Sequence, residues 1–129
     1  MRRWMMLGIG LSLMGSELYY FNGGRRIDLV PLAGEARAAT SAKPWRCLDP
    51  KGREVVVTTR LLVKFRTLDR AEASVQKYAL RRVAVYGDGR LWLLEADSPQ
   101  AALEAANALY RQEDVVWAQP DLGRRRGLR

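Results

Sequence analysis

The chain has 129 residues, of which 48% are hydrophobic and 28% are charged, and this suits one globular domain with flanking segments. It contains no histidine, which excludes a Ser-His-Asp triad, and its single cysteine, Cys47, excludes an intramolecular disulfide or a cysteine-based zinc cluster. We therefore expect a non-catalytic protein without a metal or other cofactor.

The net charge of +8 is of the kind seen in proteins that bind nucleic acid or an anionic surface. Its distribution argues against such a role, because residues 55–121 contain nine Lys or Arg and nine Asp or Glu. A domain that binds phosphates is expected to carry positive charge on its folded surface. We therefore expect solvated basic flanks and no nucleic-acid partner.

Residues 1–16 are typical of an export signal or anchor. Two arginines precede an uncharged apolar run at 4–14, which has the length of a secretory signal and is short for a bilayer span. The small residues at 15–16 and the small-x-small triplet at 36–38 are the two candidate cleavage sites. We expect a secreted or cell-envelope bacterial protein without a stable membrane span, with a buried N-terminal helix as the alternative.

Residues 17–54 are predicted to form a hairpin and a linker. Apolar stretches at 18–21 and 27–30 flank an Asn-Gly turn, which is a strong hairpin signal. The Ala-, Ser- and Thr-rich residues 33–43 are typical of a linker, and residues 49–52 are typical of a turn.

Residues 55–121 are predicted to form the folded module, from the alternation of apolar residues in strands and their helical spacing elsewhere. The predicted elements are a strand at 59–66, a helix from a capping box at Asp69 to about Leu80, strands at 82–86 and 90–96 joined by a Gly-Asp-Gly turn, a helix that begins at Ser98 and Pro99, and a strand at 115–119 that ends at Pro120. Residues 122–129 form a basic tail.

Two strand–helix–strand halves joined by a hairpin predict an α+β fold of the ferredoxin-like βαββαβ type. We expect a four-stranded antiparallel sheet with both helices on one face, preceded by the signal-like segment and the hairpin. The side chains expected under the helices are Leu61, Val63, Phe65, Val83, Val85, Leu91 and Leu93.

The opposite face of that sheet is expected to be apolar. The side chains expected there are Leu62, Ala84, Tyr86, Trp92 and Leu94, with either Val116 and Ala118 or Val115 and Trp117 from the last strand. A half-covered sheet usually carries polar residues on its open face, so this pattern predicts an interaction surface. The alternative is that the N-terminal hairpin covers it.

The order of these elements resembles the pro-domains of subtilisin-like serine proteases, which assist the folding of the protease and then inhibit it. The resemblance extends over residues 60–121. It rests on Leu62-Val63-Lys64-Phe65, on Trp92-Leu93-Leu94-Glu95 and on the ending Val116-Trp117-Ala118-Gln119-Pro120-Asp121. Residues 19–32 are similar to a segment that precedes the pro-domain in some bacterial members.

The resemblance implies that the open sheet face docks on two parallel helices of the protease. Asp121 would lie near the positive N-termini of those helices, and Gln119 stands where a second acid is common. The tail would enter the substrate cleft as an extended strand, with a solvated basic segment as the alternative. The implied partner-binding residues are Leu62, Tyr86, Trp92, Leu94, Val116, Trp117, Ala118, Gln119, Pro120 and Asp121, and the implied inhibitory tail is Leu122, Gly123, Arg124, Arg125, Arg126, Gly127, Leu128 and Arg129.

We therefore expect a secreted, non-catalytic module, monomeric when free, that inhibits a subtilisin-like protease or assists its folding. One alternative is a small ferredoxin-like module that binds nucleic acid by stacking bases on Trp92 and Tyr86. Another is the remnant of a split protease precursor.

Overall fold

The computed structural model describes residues 18–32 and 43–124. The predicted export signal, the linker at 33–42 and residues 125–129 of the tail lie outside these ranges. The elements in chain order are β1 Leu18–Asn22, β2 Arg25–Pro31, β3 Trp45–Leu48, β4 Glu54–Phe65, α1 Ala71–Lys77, β5 Arg81–Tyr86, β6 Leu91–Glu95, α2 Pro99–Tyr110 and β7 Val115–Arg124.

The seven strands form one antiparallel sheet that curls into a half-barrel, so the predicted four-stranded ferredoxin-like fold is wrong. The predicted succession of strands and helices after residue 54 is present, but the sheet does not end with it. β3 lies in the stretch assigned to a linker, and it joins the N-terminal hairpin to β4 by pairing with both. The strand order is β1–β2–β3–β4–β6–β5, and β7 pairs with the other edge of β4.

The length of β4, twelve residues, explains this architecture. One edge of β4 is shared by two strands, with Trp45 of β3 opposite Val57 and Leu94 of β6 opposite Leu61. The other edge pairs with β7 along most of its length, with a register shift between Val57 and Leu61. Because a bulge bends the strand and increases its twist, this irregularity is suited to curling the sheet.

The two helices begin in different ways. α2 starts as predicted, because the Ser98 hydroxyl accepts the N–H of Ala101 at 3.1 Å and Pro99 occupies the first helical position. α1 is shorter than predicted, and the expected capping box at Asp69 is wrong: the helix follows Arg70 without a side-chain cap. Within the described ranges, no helix is long and apolar enough to cross a membrane.

The helices pack on one face of the sheet, here called the inner face. The main hydrophobic cluster joins α1 and α2 to β4, β6 and β7, and its members include Leu61, Val63, Phe65, Val75, Trp92, Leu94, Ala106, Leu109, Val115 and Ala118. A second cluster joins Leu103 of α2 to the N-terminal strands through Leu29, Trp45, Cys47 and Val57. Cys47 is therefore a buried core residue.

The N-terminal hairpin packs against α2. The rings of Phe21 and Tyr110 stack with their centroids 4.3 Å apart, and the Asn107 Nδ2 donates to the Tyr19 carbonyl oxygen at 2.8 Å. These contacts place β1 and β2 beside the helix on the inner side of the sheet. The alternative in which the hairpin covers the opposite face is therefore wrong.

The tight turn between β3 and β4 depends on the Asp49 carboxylate. Its Oδ1 accepts the backbone N–H groups of Lys51 and Arg53, and its Oδ2 accepts Arg53 Nε, each at 2.9 Å. Burial opposes ionisation of this carboxyl, but the hydrogen bonds and the charge of Arg53 outweigh it and hold the pKa of Asp49 below its ordinary value of 3.8. The ionised carboxylate therefore stabilises the turn that aligns β3 with β4.

Asp49→Asn is expected to destabilise the protein at neutral pH, because the amide carries no charge for Arg53 and offers one acceptor oxygen in place of two. The ionised carboxylate contributes its full stabilisation above about pH 3.8, the ordinary pKa of the group. This contribution is lost as the pH falls through the lower pKa that Asp49 has in the folded protein. Urea unfolding of both proteins should show a difference near neutral pH that shrinks below about pH 4. A difference that stays constant over this range would contradict the role given to the ionised form.

Candidate protein-docking surface

The face of the sheet opposite the helices, here called the outer face, is built from two rows of cross-strand neighbours. Directly paired residues of antiparallel strands point to the same side, so the register assigns each row. From β7 through β4 and β6 to β5, the first row is Gln119, Leu62, Leu93 and Ala84, and the second row is Trp117, Lys64, Leu91 and Tyr86.

The exposure of these side chains differs along the rows. Tyr86 is 47% exposed at the β5 edge, and Lys64 is exposed in the middle of the second row. Leu62, Leu91 and Trp117 are half-buried, whereas Leu93 is only 8% exposed between its neighbours. The outer face is therefore a shallow, largely apolar surface with an aromatic ring at each end of the second row.

A charged row borders this apolar surface. Glu95 of β6 lies directly opposite Arg60 of β4 and Arg81 of β5. Its carboxylate is 3.5 Å from an Arg81 guanidinium nitrogen and 4.0 Å from that of Arg60, and it accepts the Thr59 hydroxyl at 3.1 Å. An apolar centre with a polar rim is the usual composition of a protein-binding surface.

The sequence prediction inverted the two faces of β6. Trp92 and Leu94, predicted to be partner-binding, lie opposite Val63 and Leu61 on the inner face, where they are 4% and 0% exposed. Trp92 Nε1 donates to the Gly89 carbonyl oxygen at 2.8 Å, which satisfies the indole N–H. The sequence did not indicate which side chains of β6 face the helices, because residues 91–94 read Leu-Trp-Leu-Leu and are apolar on both faces.

A bulge in β7 separates the predicted docking residues of that strand. The register shifts between Lys64 and Phe65 of β4, so Val115 and Ala118 both lie on the inner face while Trp117 lies on the outer face. Neither predicted alternative, Val116 with Ala118 or Val115 with Trp117, is therefore correct. Ala118 and Pro120 are buried and cannot contribute to the outer face, whereas Val116 is 42% exposed at the bulge.

Two valines that were predicted to be core residues are exposed instead. Val83 and Val85, expected under the helices, are 41% and 45% exposed. β5 is an edge strand with a register shift between Arg82 and Ala84, and it pairs only with β6 among the described strands. The helices therefore cover the inner face unevenly, with little cover over this edge.

The first part of the predicted inhibitory tail belongs to the sheet. Leu122, Gly123 and Arg124 are paired with Val57, Val56 and Val55 of β4, and Leu122 packs against the second hydrophobic cluster. The assignment of these three residues to a free tail is therefore wrong.

Asp121, predicted to bind the protease helices, is half-buried within β7. Its backbone carbonyl accepts the Thr58 hydroxyl at 2.7 Å. The sequence pattern ended the strand at Pro120, but proline is tolerated where its nitrogen is not required by the ladder, and the strand continues beyond it.

The serine hydroxyls at the two helices take part in hydrogen bonds within the structure. The hydroxyls of Ser74 and Ser98 are engaged, the first as a donor to Gln112 Oε1 and the second as the cap of α2. Among residues 18–32 and 43–124, no group of three His, Cys, Asp or Glu side chains could hold a metal ion.

No family model matches the chain, and neither a curated protein nor a solved structure is significantly similar to it.

Proposed function

We propose that the chain is an exported, non-catalytic module that binds a subtilisin-like serine protease as an inhibitor or as a folding chaperone. The observation that carries the proposal is the largely apolar outer face, where leucine and aromatic side chains predominate in both rows and the Arg60–Glu95–Arg81 charges border them. Apolar surface of this kind usually marks an interaction site. The resemblance of residues 60–121 to protease pro-domains supports the choice of partner.

The proposed contact residues are those that the register places on the outer face. Trp117 and Tyr86 supply the ring area that dominates many protein interfaces, and Leu62 and Leu91 lie between them. In this proposal the substrate cleft of the protease receives residues that follow Arg124, because Leu122–Arg124 are held in β7.

The docking proposal is tested with a panel of bacterial subtilisin-like proteases. The intact chain is expected to inhibit at least one of them. Trp117→Ala and Tyr86→Ala should each raise the inhibition constant about tenfold, because each removes an aromatic side chain of the kind that contributes most to protein interfaces. Leu68→Ala is the matched control, since Leu68 is an exposed apolar residue in the loop before α1 and lies off the outer face.

A chain that ends at Arg124 separates docking from inhibition. It keeps β7 complete, so it should bind the protease in a pull-down assay while losing most of its inhibition of peptide hydrolysis. A folded, intact chain that neither binds nor inhibits any protease of the panel would contradict the proposal. Equal effects of Trp117→Ala and Leu68→Ala would contradict the assignment of the outer face.

One observation favours the nucleic-acid alternative. Trp92 is buried and cannot stack a base, but the row Trp117, Lys64, Leu91 and Tyr86 combines rings with a cation, which is the composition of single-strand binding surfaces. Binding of single-stranded RNA that weakens with salt and with Trp117→Ala would support this function in place of protease binding. The split-precursor alternative would be supported by an adjacent reading frame that encodes the Asp, His and Ser motifs of a protease.

A further inference from the structure

α1 is attached to the rest of the domain less firmly than α2. It is seven residues long, begins after Arg70 without a side-chain cap, and its buried side chains are Ala71, Ser74 and Val75. α2 is twelve residues long, is capped by Ser98 and packs against β4, β7 and β1, whereas α1 contacts mainly the edge strand β5. A helix as short as α1 is not stable in isolation, so it depends on these contacts.

The end of α1 has a strained backbone. The Leu80 N–H donates to the Val75 carbonyl oxygen at 2.9 Å and the Ala79 N–H to that of Gln76 at 3.1 Å, which is the hydrogen-bond pattern of a Schellman motif. Ala79 occupies the left-handed position of this motif with a φ of 56°, where glycine is usual. Because Ala79 is exposed, its side chain gains little packing to offset the strain. The strain is relieved when this end of the helix opens.

The side-chain links between α1 and its neighbours are weak. Arg82 of β5 lies with its guanidinium 4.9 Å from the centre of the Trp92 ring, and its Nη1 donates to Glu72 Oε2 of α1 at 2.9 Å. The side chains of Arg82 and Glu72 are 47% and 67% exposed, and ion pairs of such exposure contribute little to stability. On the other side of the helix, the Ser74 Oγ donates to Gln112 Oε1 at 3.1 Å.

We propose that α1 is a lid that opens by local unfolding while the sheet and α2 stay folded. Segments with few buried apolar contacts open at a lower free energy than the core does. Opening relieves the strain at Ala79 and removes Ala71 and Val75 from the main hydrophobic cluster. It uncovers the part of the inner face beside β5, where Val83 and Val85 are already exposed. This movement on the inner side of the sheet does not depend on protease binding at the outer face.

The test is native-state hydrogen exchange of the full-length protein, followed by NMR. The amides of Ser74, Tyr78 and Leu80 donate hydrogen bonds within the helix and its C-terminal motif. Relative to their intrinsic rates, they are expected to exchange about tenfold or more faster than the hydrogen-bonded amides of β4 and β6. Low concentrations of urea should leave the α1 rates unchanged, because local opening exposes little surface.

Two variants should change the α1 exchange rates in opposite directions. Ala79→Gly should slow exchange about fivefold, because glycine adopts the left-handed conformation without strain. Arg82→Gln should speed it about threefold, because the link from Trp92 to Glu72 is lost. Arg90→Gln is the matched control, since it removes an exposed ion pair with Asp88 in the β5–β6 turn and should leave α1 exchange unchanged.

Two results would overturn the proposal. The first is equal protection of α1 and the central strands, with rates that rise together as urea is added, because α1 would then open only with the whole domain. The second is exchange at α1 that neither Ala79→Gly nor Arg82→Gln changes. Because this readout involves no protease, either failure would leave the proposed docking role of the outer face untouched.

Discussion

Leu94→Ala is expected to lower the free energy of unfolding by about 2–5 kcal/mol, the usual cost of removing a leucine side chain from a closed core. Leu94 is fully buried opposite Leu61 and belongs to the main hydrophobic cluster between the sheet and the helices. The loss should be measured by urea unfolding at neutral pH, with the midpoint shifted and the slope unchanged.

Leu62→Ala is the matched control for this prediction. It removes the same atoms from the neighbouring strand, but Leu62 is half-buried on the outer face, so the expected loss is about 1 kcal/mol or less. Equal losses in the two variants would contradict the face assignment of β6. A larger loss from Leu62→Ala would show that another element covers the outer face.

A chain that ends at Gln119 is expected to be about 3–5 kcal/mol less stable than the full-length protein. The truncation removes Leu122 from the second hydrophobic cluster, buried Pro120 from its place opposite Leu61, and the pairing of Gly123 and Arg124 with the first half of β4. The carbonyl that accepts the Thr58 hydroxyl is lost as well.

A chain that ends at Arg124 is the control, because it retains every residue of β7. Its free energy of unfolding should lie within about 0.5 kcal/mol of the full-length value, because it keeps every contact of the described sheet and helices. Equal stability of the two truncated chains would contradict the role of Leu122–Arg124 in the sheet. The pair also controls the inhibition experiment, since loss of inhibition by an unfolded chain would say nothing about the tail.

Several local elements could be predicted because neighbouring residues determine them. The Asn22-Gly23 turn, with Gly23 at a φ of 62°, directs the β1–β2 hairpin, and Ser98 with Pro99 sets the start of α2. The Gly87–Gly89 turn between β5 and β6 was recognised for the same reason. In each case the signal is a backbone conformation or a hydrogen bond that a few consecutive residues supply.

The candidate docking surface could be predicted only in part. Leu62, Tyr86 and Trp117 were expected on an exposed sheet face and lie on the outer face. Trp92 and Leu94 were misplaced, since residues 91–94 are apolar at every position and do not indicate which side chains face the helices. The charged row was missed because Arg60, Arg81 and Glu95 are distant in sequence and meet only through strand register.

By itself, the sequence determined several local elements, the absence of histidine chemistry and the balance of charge over residues 55–121. Outside the β1–β2 and β5–β6 hairpins, only the tertiary structure decided which strands pair, because backbone hydrogen bonds are the same for any sequence and cannot select a neighbour. The choice depended on the long β4, whose two edges accept β3, β6 and β7, and on bulges that reset which side chains face the helices. These features decide the shape of the outer face, and they arise from packing between residues far apart in the chain.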